Sequence, residues 1–407
     1  MSEIKLKNGM KIIANYHDSE FVTMAFYINK GACDEADNQI GIAHLVEHLV
    51  FKGTVSRDKA KIWQDIQKYG GKLNAYTAET HTVFFVHCLK EYIDEAFDVL
   101  AEIVFLNTIP EEEFELEKSV VIEELKMYEN EIDSQILTLR NKVLYNGIVN
   151  RYNVGGTPET VSKITRKQVI DFIAKNYIPN NITFVVTGDI EAKYFKNKCE
   201  EYLKDFQFIK KSPNYRKKNI KLTFKDAKET KDGTQSAMCA VFPMHLKNQK
   251  EVIMEMIAEL ILCGGFNSRL MKIREDYGYV YHIDMDSSYD YVGEEGFACI
   301  FTQLNNQNIP KVKELINEYL KVFYEKGFTD SEFEQAFNTM QFDFRKQFET
   351  VNSVNSITII NDDCGMPYNE DGLLKILDSI TKDDLKNFIK EKYRDLTLSF
   401  IEVEQTR

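Results

Sequence analysis

The residues of this sequence best suited to chemistry are two histidines and a glutamate within five consecutive positions. His44, Glu47 and His48 form a His-x-x-Glu-His pattern. On an α-helix the two imidazoles lie about 40° apart on one face, so both can reach one metal ion. Glu47 falls on nearly the same side, where its carboxylate can accept a proton from a water molecule beside that ion. The pattern predicts a metal-dependent hydrolytic site.

The alternative is a helix with two core histidines and a buried glutamate. The other residues of this stretch are apolar: Ile42, Ala43, Leu45, Val46, Leu49, Val50 and Phe51. Burying a carboxylate without a partner costs several kcal/mol. Three such polar groups on an apolar helix therefore need a common reason, and a shared metal ion supplies one.

A third ligand is expected from a second helical segment. A catalytic zinc site uses three protein ligands and leaves one position open. Glu117 and Glu124 are seven positions apart, so on a helix they share one face within about 20°. Glu124 could complete the zinc site, and Glu117 could hydrogen-bond a ligand or the water. Glu123 is a rival ligand if the helix is rotated, and a solvated acidic helix face is the alternative for the pair.

Composition restricts the class of protein. The chain has 407 residues, with 51 Lys and Arg against 64 Asp and Glu, a formal net charge of −13. That balance argues against nucleic-acid binding, which needs a basic face. No apolar run is long enough for a membrane span, and the first residues lack the apolar region of a signal peptide. The seven scattered cysteines indicate a reducing compartment. We therefore expect a cytoplasmic protein without membrane or nucleic-acid partners.

The chain divides into two similar halves. Residues 164–177 resemble residues 380–393, and each segment precedes an alternating, strand-like stretch. Chance similarity between two ordinary helices is the alternative. The repeat predicts an α+β fold built from a duplicated unit. We place one domain at residues 1–204, a basic, proline-containing linker at 205–221, and its duplicate at 222–407.

The second half lacks the candidate site. A second match, of Glu113-Phe114-Glu115 with Glu332-Phe333-Glu334, gives a shift of 219 residues. That shift places His44, Glu47, His48, Glu117 and Glu124 on Cys263, Phe266, Asn267, Ala336 and Asp343. None of these replacements preserves the pattern of two imidazoles and a base. One domain is therefore expected to carry the chemistry and the other to form a wall of the site.

Several segments together resemble one known family. They are His44-Leu45-Val46-Glu47-His48, Phe51-Lys52-Gly53-Thr54, Gly70-Gly71-Lys72-Leu73-Asn74-Ala75-Tyr76-Thr77 and Glu117 to Glu124. The sequence resembles the pitrilysin-type inverzincin zinc metallopeptidases, which include insulin-degrading enzyme and the mitochondrial processing peptidase, and looks like a short, two-domain bacterial-type member. Glu124 follows His48 at a distance of 76 positions, which fits the family's third ligand.

The resemblance implies roles for individual residues. It implies one Zn²⁺ per chain, held by His44, His48 and Glu124. It also implies Glu47 as the base that activates the zinc-bound water and Glu117 as an auxiliary carboxylate.

Substrate contacts are implied in both halves. Asn74, Ala75 and Tyr76 would lie on an edge strand that pairs with extended substrate. Arg274 and Tyr281 would reach the substrate backbone or the tetrahedral intermediate. Without the resemblance, Arg274 would be interpreted as a surface ion-pair partner and Tyr281 as a core aromatic residue.

The implied fold is a clamshell of two domains, each a mixed, mainly antiparallel sheet covered by helices. The implied activity is a zinc metalloendopeptidase that hydrolyses short, unfolded peptides in a closed chamber. Because the family's working particle has four domains, we expect a homodimer, with a heterodimer as the alternative. Whether Arg274 and Tyr281 act in their own chain or across the dimer stays open. Alternative functions are a processing protease for a single precursor peptide and a non-catalytic binding subunit of a heteromeric peptidase.

Overall fold

Two β-sheets organise the chain, each within its own set of helices. The computed structural model describes residues 1–148, 153–204, 221–288, 296–367 and 369–406. The first compact unit comprises Met1–Met127, Val149–Lys217 and Phe348–Ile360, and the second comprises Tyr128–Ile148, Lys218–Gln347 and Asn361–Arg407. The predicted α+β fold with two similar halves is confirmed.

The first unit contains a six-stranded sheet. Its strands are β1 (Ser2–Lys5), β2 (Lys11–Tyr16), β3 (Phe21–Ile28), β4 (Lys72–Thr77), β5 (Thr82–Leu89) and β6 (Ile182–Gly188). Their order is β1-β2-β6-β3-β5-β4. Only β2 and β6 run parallel; the other neighbours are antiparallel. Strand β4 therefore lies at an edge of the sheet.

The second unit repeats this arrangement. Its strands are β7 (Ala227–Lys231), β8 (Ser236–Pro243), β9 (Val280–Ser288), β10 (Phe297–Leu304) and β11 (Ser399–Gln405). Their order is β7-β11-β8-β10-β9, which matches the order β2-β6-β3-β5-β4 in the first sheet. The parallel pair, β7 with β11, occupies the same place as β2 with β6. The shared topology agrees with a duplicated unit.

Helices follow the strands in both units. In chain order they are α1 (Ile42–Leu49), α2 (Lys59–Gln67), α3 (Ile93–Phe105), α4 (Glu111–Tyr128), α5 (Ile132–Leu144), α6 (Pro158–Ser162), α7 (Arg166–Asn176), α8 (Ala192–Tyr202), α9 (Gln249–Cys263), α10 (Lys272–Glu275), α11 (Ile309–Lys326), α12 (Asp330–Lys346), α13 (Val351–Cys364), α14 (Glu370–Asp378) and α15 (Lys382–Lys392). None of the described helices is long and apolar enough to cross a membrane.

Helices α7 and α15 show why the repeated segments fold alike. Each has 11 residues and begins after a threonine, Thr165 or Thr381, whose hydroxyl accepts a hydrogen bond from the third helical N–H. In both, the side chain at that third position bonds back to the threonine N–H, completing a capping box. The repeated Ile-Thr motif therefore sets the same helix start twice.

One feature of the fold was not predicted from sequence: a helical segment from each half packs with the other unit. Residues 128–148, which contain α5, belong to the second unit, where Ile136 and Leu139 join its apolar core. Residues 348–360 belong to the first unit, where Asn355 Nδ2 donates to the carbonyl oxygens of Thr23 and Val185 at 3.1 Å each. The periodicity of a helix shows which face is buried but not which sheet that face covers.

The predicted linker at 205–221 lies almost wholly outside the described residues, with Lys221 as its one described position. The boundaries proposed from sequence, 1–204 and 222–407, stay a prediction about where the catalytic half ends. The two compact units differ from that division because residues 128–148 belong to the second unit and residues 348–360 to the first. We call these two stretches the exchanged segments.

Candidate metal centre

Helix α1 presents its polar side chains on one face. Its apolar residues Ile42, Ala43, Leu45, Val46 and Leu49 are fully buried in the core of the first unit. His44, Glu47 and His48 are only partly buried. The apolar stripe thus fixes the rotation of the helix about its axis and turns the three polar residues away from the core.

The two imidazoles and one carboxylate from α4 converge. One ligand atom from each of His44, His48 and Glu124 lies within 4.8 Å of the others. His48 Nε2 is 3.4 Å from Glu124 Oε2. Two donors held at about 2.0–2.1 Å by a tetrahedral ion lie about 3.4 Å apart, so this separation suits a zinc ion. The rival residue Glu123 is exposed and pairs instead with Lys126 at 2.7 Å.

Glu117 forms a hydrogen bond with Nδ1 of His48, the ring nitrogen that does not face Glu124. Its Oε1 accepts a hydrogen bond from His48 Nδ1 at 2.9 Å, and its Oε2 lies 2.7 Å from Lys52 Nζ. Burial acts to raise the pKa of Glu117, but the hydrogen bonds from His48 and Lys52 outweigh it and lower that pKa. The anionic Glu117 holds the Nδ1 proton and leaves Nε2 of His48 free to bind a metal.

His44 is poised as a neutral ligand. Burial, together with the charge on nearby His48, lowers the pKa of His44 to about 4. Metals bind the neutral imidazole, so His44 needs no deprotonation at neutral pH. Its Nδ1 is buried and has no hydrogen-bond partner among the described residues. Two imidazoles and a carboxylate are a donor set of catalytic zinc sites, and these residues therefore fit the metal.

Glu47 is held by the neighbouring sheet. Thr77 Oγ1, at the end of β4, donates a hydrogen bond of 2.6 Å to Glu47 Oε2. Burial raises the pKa of Glu47, and the Thr77 hydrogen bond acts in the opposite direction. This contact fixes the orientation of the Glu47 carboxyl group beside the ligand cluster.

Strand β4 carries Asn74, Ala75 and Tyr76 at the edge of the first sheet. Within the described part of the chain, β4 pairs only with β5. Asn74 and Tyr76 are exposed, and Ala75 is partly buried. An edge strand with a free side offers backbone donors and acceptors to an extended peptide. The same strand ends at Thr77, the partner of Glu47, so the edge leads towards the metal centre.

Arg274 and Tyr281 come together within the second unit. The Arg274 guanidinium carbon lies 5.2 Å from the centre of the Tyr281 ring. Tyr281, on the edge strand β9, is 77% exposed, so the alternative interpretation of it as a core aromatic residue is wrong. Exposure leaves its hydroxyl available to a ligand.

A second metal-binding cluster of this kind was not expected in the duplicate half. Among the residues that the structure describes, His44, His48 and Glu124 are the one group of His, Cys, Asp or Glu suited to hold an ion. Cys263, at the position shifted from His44, ends helix α9. The duplicate keeps the fold without the ligands.

Three residues that contact this site had no role predicted from the sequence. Lys52 and Thr77 lie in the segments that carry the family resemblance, but their types alone do not indicate partners. Glu35, whose carboxyl binds the start of α1, lies outside every motif. Burial raises the pKa of Glu35 to about 8. Gly41 is the only sequence signal for the contact of Glu35. A glycine before a helix brings no capping side chain, so another residue must supply the acceptor.

Comparison with known proteins gives consistent similarities. Residues 11–151 match the family described as insulinase (peptidase family M16), and residues 163–340 match the peptidase M16 inactive domain. The chain is 28% identical over 353 residues to the uncharacterized zinc protease YmxG of Bacillus subtilis, covering 85% of this chain and 84% of that protein. It is 26% identical over 335 residues to an uncharacterized zinc protease of Mycobacterium leprae, covering 80% and 74%.

Partial and structural similarities extend this result. The β subunit of the mitochondrial-processing peptidase of Neurospora crassa is 27% identical over 198 residues, covering 48% of this chain and 42% of that subunit. Among solved structures, a protease from Helicobacter pylori matches with a TM-score of 0.85 at 18% identity, covering 99% of both chains. A peptidase M16 inactive domain from Pseudomonas fluorescens matches with a TM-score of 0.86 at 16% identity, covering 100% and 98%. These structures share the fold.

Proposed function

This chain belongs to the peptidase M16 family, and from that membership we propose that it is a zinc-dependent endopeptidase acting on short, unfolded peptides. The observation that carries the proposal is the convergence of ligand atoms from His44, His48 and Glu124 within 4.8 Å. Zinc proteases among the relatives support a peptidase activity.

His44, His48 and Glu124 are the residues we assign to one Zn²⁺ per chain. When bound, the ion supplies a Lewis acid that polarises a carbonyl oxygen and acidifies a water molecule. The chain contributes the geometry. Glu117 fixes the Nδ1 proton of His48, and burial keeps His44 neutral.

Glu47 is the proposed general base. Thr77 orients its carboxyl group through Oε2, and the carboxylate takes the proton from the attacking water and returns it to the leaving amide nitrogen. The pKa of Glu47 is raised by burial, which brings the carboxyl closer to the range where it can both accept and donate a proton near neutral pH.

We propose that the free side of β4 binds the substrate as an added strand. Asn74, Ala75 and Tyr76 would then recognise backbone groups, which every extended peptide presents. Most backbone groups of a folded protein are already hydrogen-bonded within it, so we expect oligopeptides as the substrates. The exposed Tyr281 with Arg274 beside it offers a phenol and a guanidinium to the substrate carbonyl oxygens or to a developing oxyanion. We propose a homodimer as the working particle.

A second candidate is a processing protease for a single precursor peptide. The similarity to the β subunit of a mitochondrial-processing peptidase, over about half of this chain, favours it. A non-catalytic subunit is a third candidate, supported by the match to an inactive domain. Glu47 beside a complete ligand set argues against it, since a binding role needs no base at a metal.

A digestion assay with a panel of unrelated peptides and folded proteins tests these candidates. The zinc-loaded chain is expected to cleave many of the peptides and none of the folded proteins, to lose activity on treatment with a chelator, and to regain it with one equivalent of zinc. A sample treated with zinc-saturated chelator is the control. Cleavage of one peptide alone favours the processing protease, and no cleavage of any peptide contradicts the proposed activity.

A further inference from the structure

Helix α1 begins without a capping side chain of its own. Its N-cap is Gly41, which adopts φ +91° and ψ 2°. The first N–H groups of any helix lack partners within the helix and need acceptors from elsewhere. A serine or aspartate cannot take the place of Gly41, because a Cβ there would lie 2.5 Å from the carbonyl oxygen of Gly155 in a backbone conformation that side chains rarely adopt.

Glu35 supplies the missing acceptor from outside the helix. Its Oε2 accepts from the N–H of Gly41 and its Oε1 from the N–H of Ala43, both at 2.8 Å. The residue is 1% exposed. Both oxygens of the carboxyl group are therefore used on the first turn of α1, and His44 follows Ala43 directly in the chain.

The segment that carries Glu35 is tied to the end of β4. The N–H of Ala32 donates to the carbonyl oxygen of Ala78 at 3.1 Å, and that of Cys33 donates to Glu79 at 2.8 Å. Ala78 follows Thr77, the partner of Glu47. The segment of Ala32 to Glu35 thus connects the start of α1 with the end of β4, where Thr77 contacts the proposed base.

We propose that Glu35 is a positioning residue for the metal centre, because its carboxyl group fixes the first turn of α1 and with it the placement of His44 and Glu47. The inference rests on the proposed function, since it concerns the same site. Small displacements of reacting groups are costly: about 1 Å can reduce turnover roughly a hundredfold. A buried carboxyl group bound to two backbone N–H groups is a rigid means of preventing such a shift.

Glu35→Gln tests the proposal with little change in shape. An amide nitrogen cannot accept a hydrogen bond, so one of the two N–H groups loses its partner. The dissociation constant for Zn²⁺, measured by competition between the metal-free protein and a chromophoric chelator, is expected to rise about tenfold. The kcat for peptide cleavage is expected to fall while KM stays within twofold of the wild-type value.

Glu255→Gln is the matched control. Glu255 is also a fully buried carboxyl, and it accepts hydrogen bonds from the hydroxyls of Tyr393 and Ser287 in the second unit. This variant is expected to lower the unfolding temperature and to leave the zinc dissociation constant unchanged. Equal weakening of zinc binding in both variants would mean that general destabilisation, not positioning, is responsible, and would overturn the proposal.

A folded Glu35→Gln protein that binds zinc as tightly as the wild type would also overturn it. If that variant does not fold, Glu35→Asp is measured in the same way. Its shorter side chain reaches only one of the two N–H groups and is expected to weaken zinc binding as well, so unchanged binding in a folded Glu35→Asp protein counts against the inference. A wild-type chain that binds zinc but cleaves no peptide contradicts the proposed function and leaves the role of Glu35 in zinc binding to be decided by these variants.

Discussion

Glu117 and Glu124 lie two turns apart on α4, yet their surroundings give them different tasks. Glu117 is buried and engaged by His48 Nδ1 and Lys52 Nζ. Glu124 is more exposed and faces His48 Nε2. An imidazole that donates a hydrogen bond from one nitrogen can bind a metal only through the other. Glu117 accepts the hydrogen bond of Nδ1, so Nε2, beside Glu124, is the nitrogen left for a metal.

Substitution of the two neighbouring glutamates on α4 separates the ligand from its rival. Glu124→Gln is expected to lose stoichiometric zinc after dialysis against a weak chelator, because an uncharged amide is a poor third ligand. Glu123→Gln, at an exposed position paired with Lys126, is expected to retain it. The measurement is the zinc content of each dialysed protein by atomic emission. Zinc lost from Glu123→Gln and kept by Glu124→Gln would reverse the assignment.

The hydroxyl of Thr77 is expected to matter for turnover. Thr77→Val keeps the shape of the side chain but removes the hydrogen bond to Glu47. Hydrogen bonds to charged groups contribute about 1.5–3 kcal/mol, so kcat is expected to fall roughly tenfold to a hundredfold. Steady-state kinetics on one peptide checks this, with Thr77→Ser as the control that retains the hydroxyl. Equal kcat values for the valine and serine variants would show that the bond has no part in the reaction.

At this scale, residue types and spacing predicted that His44 and His48 share a face, because a helix fixes which positions lie together. They left Glu123 and Glu124 as rival third ligands, and the family resemblance implied Glu124, which the structure places beside the two imidazoles. The supporting contacts of Thr77, Lys52 and Glu35 were not predictable. They depend on how a strand, a turn and a loop meet α1 and α4, and no local periodicity encodes such contacts between distant segments.

Helix α1 is short, and its placement depends on what surrounds its first turn. Gly41 allows the backbone to pass close to Gly155 but has no side chain to cap the helix. Glu35 accepts the hydrogen bonds of the first N–H groups instead. The apolar residues of α1 then fix its rotation. The position of α1 and its rotation about its axis together determine where the imidazoles of His44 and His48 point.

Gly41→Ala is therefore expected to disturb both stability and zinc binding. The new Cβ would lie 2.5 Å from the Gly155 carbonyl oxygen and impose a strained φ, at a cost of roughly 1–3 kcal/mol. Gly70→Ala is the matched control, because Gly70 also has positive φ but no atom within 4 Å of the added Cβ. Thermal unfolding and zinc titration are the measurements. We expect both variants to unfold at lower temperature and only Gly41→Ala to bind zinc less tightly; unimpaired zinc binding by Gly41→Ala would contradict this role of the first turn.

The exchanged segments show the limit of sequence reasoning about elements. Segment 128–148 contains α5, and segment 348–360 contains the first turns of α13. Segment 128–148 packs with the second unit and segment 348–360 with the first. Local periodicity does not identify the sheet that a helix covers, so this choice depends on the course of the whole chain.

For the whole molecule, duplication has left two units with one topology and different buried chemistry. The first unit holds the candidate metal centre. The second buries Glu255 on α9, and burial raises the pKa of Glu255 to about 8. Residues that face Glu255 include Glu259, Tyr393, Ser287 and Lys392. A carboxyl of this kind stays protonated in the folded protein at a pH where the unfolded chain has released its proton.

The contribution of Glu255 to the stability of the folded chain is therefore expected to fall as pH rises from about 5 to 8. In that window the Glu255 carboxyl holds its proton in the folded state and has released it in the unfolded state, which reduces the free energy of unfolding by up to about 1.4 kcal/mol per pH unit. Glu255→Gln removes one contribution, so the difference between its unfolding temperatures at pH 5.5 and 7.5 is expected to be smaller than in the wild type. Glu123→Gln serves as an exposed control. Identical pH dependence in wild type and Glu255→Gln would contradict the assignment.

The most direct measurement compares zinc content and peptide turnover in the wild type and Glu47→Gln, prepared and assayed side by side. Glu47 is not among the three ligands, so the variant is expected to keep one zinc per chain. Without its base it is expected to lose turnover by about a hundredfold or more. A Glu47→Gln protein that keeps both its zinc and its activity would contradict the proposed mechanism, and a wild-type chain that holds no zinc would contradict the metal centre itself.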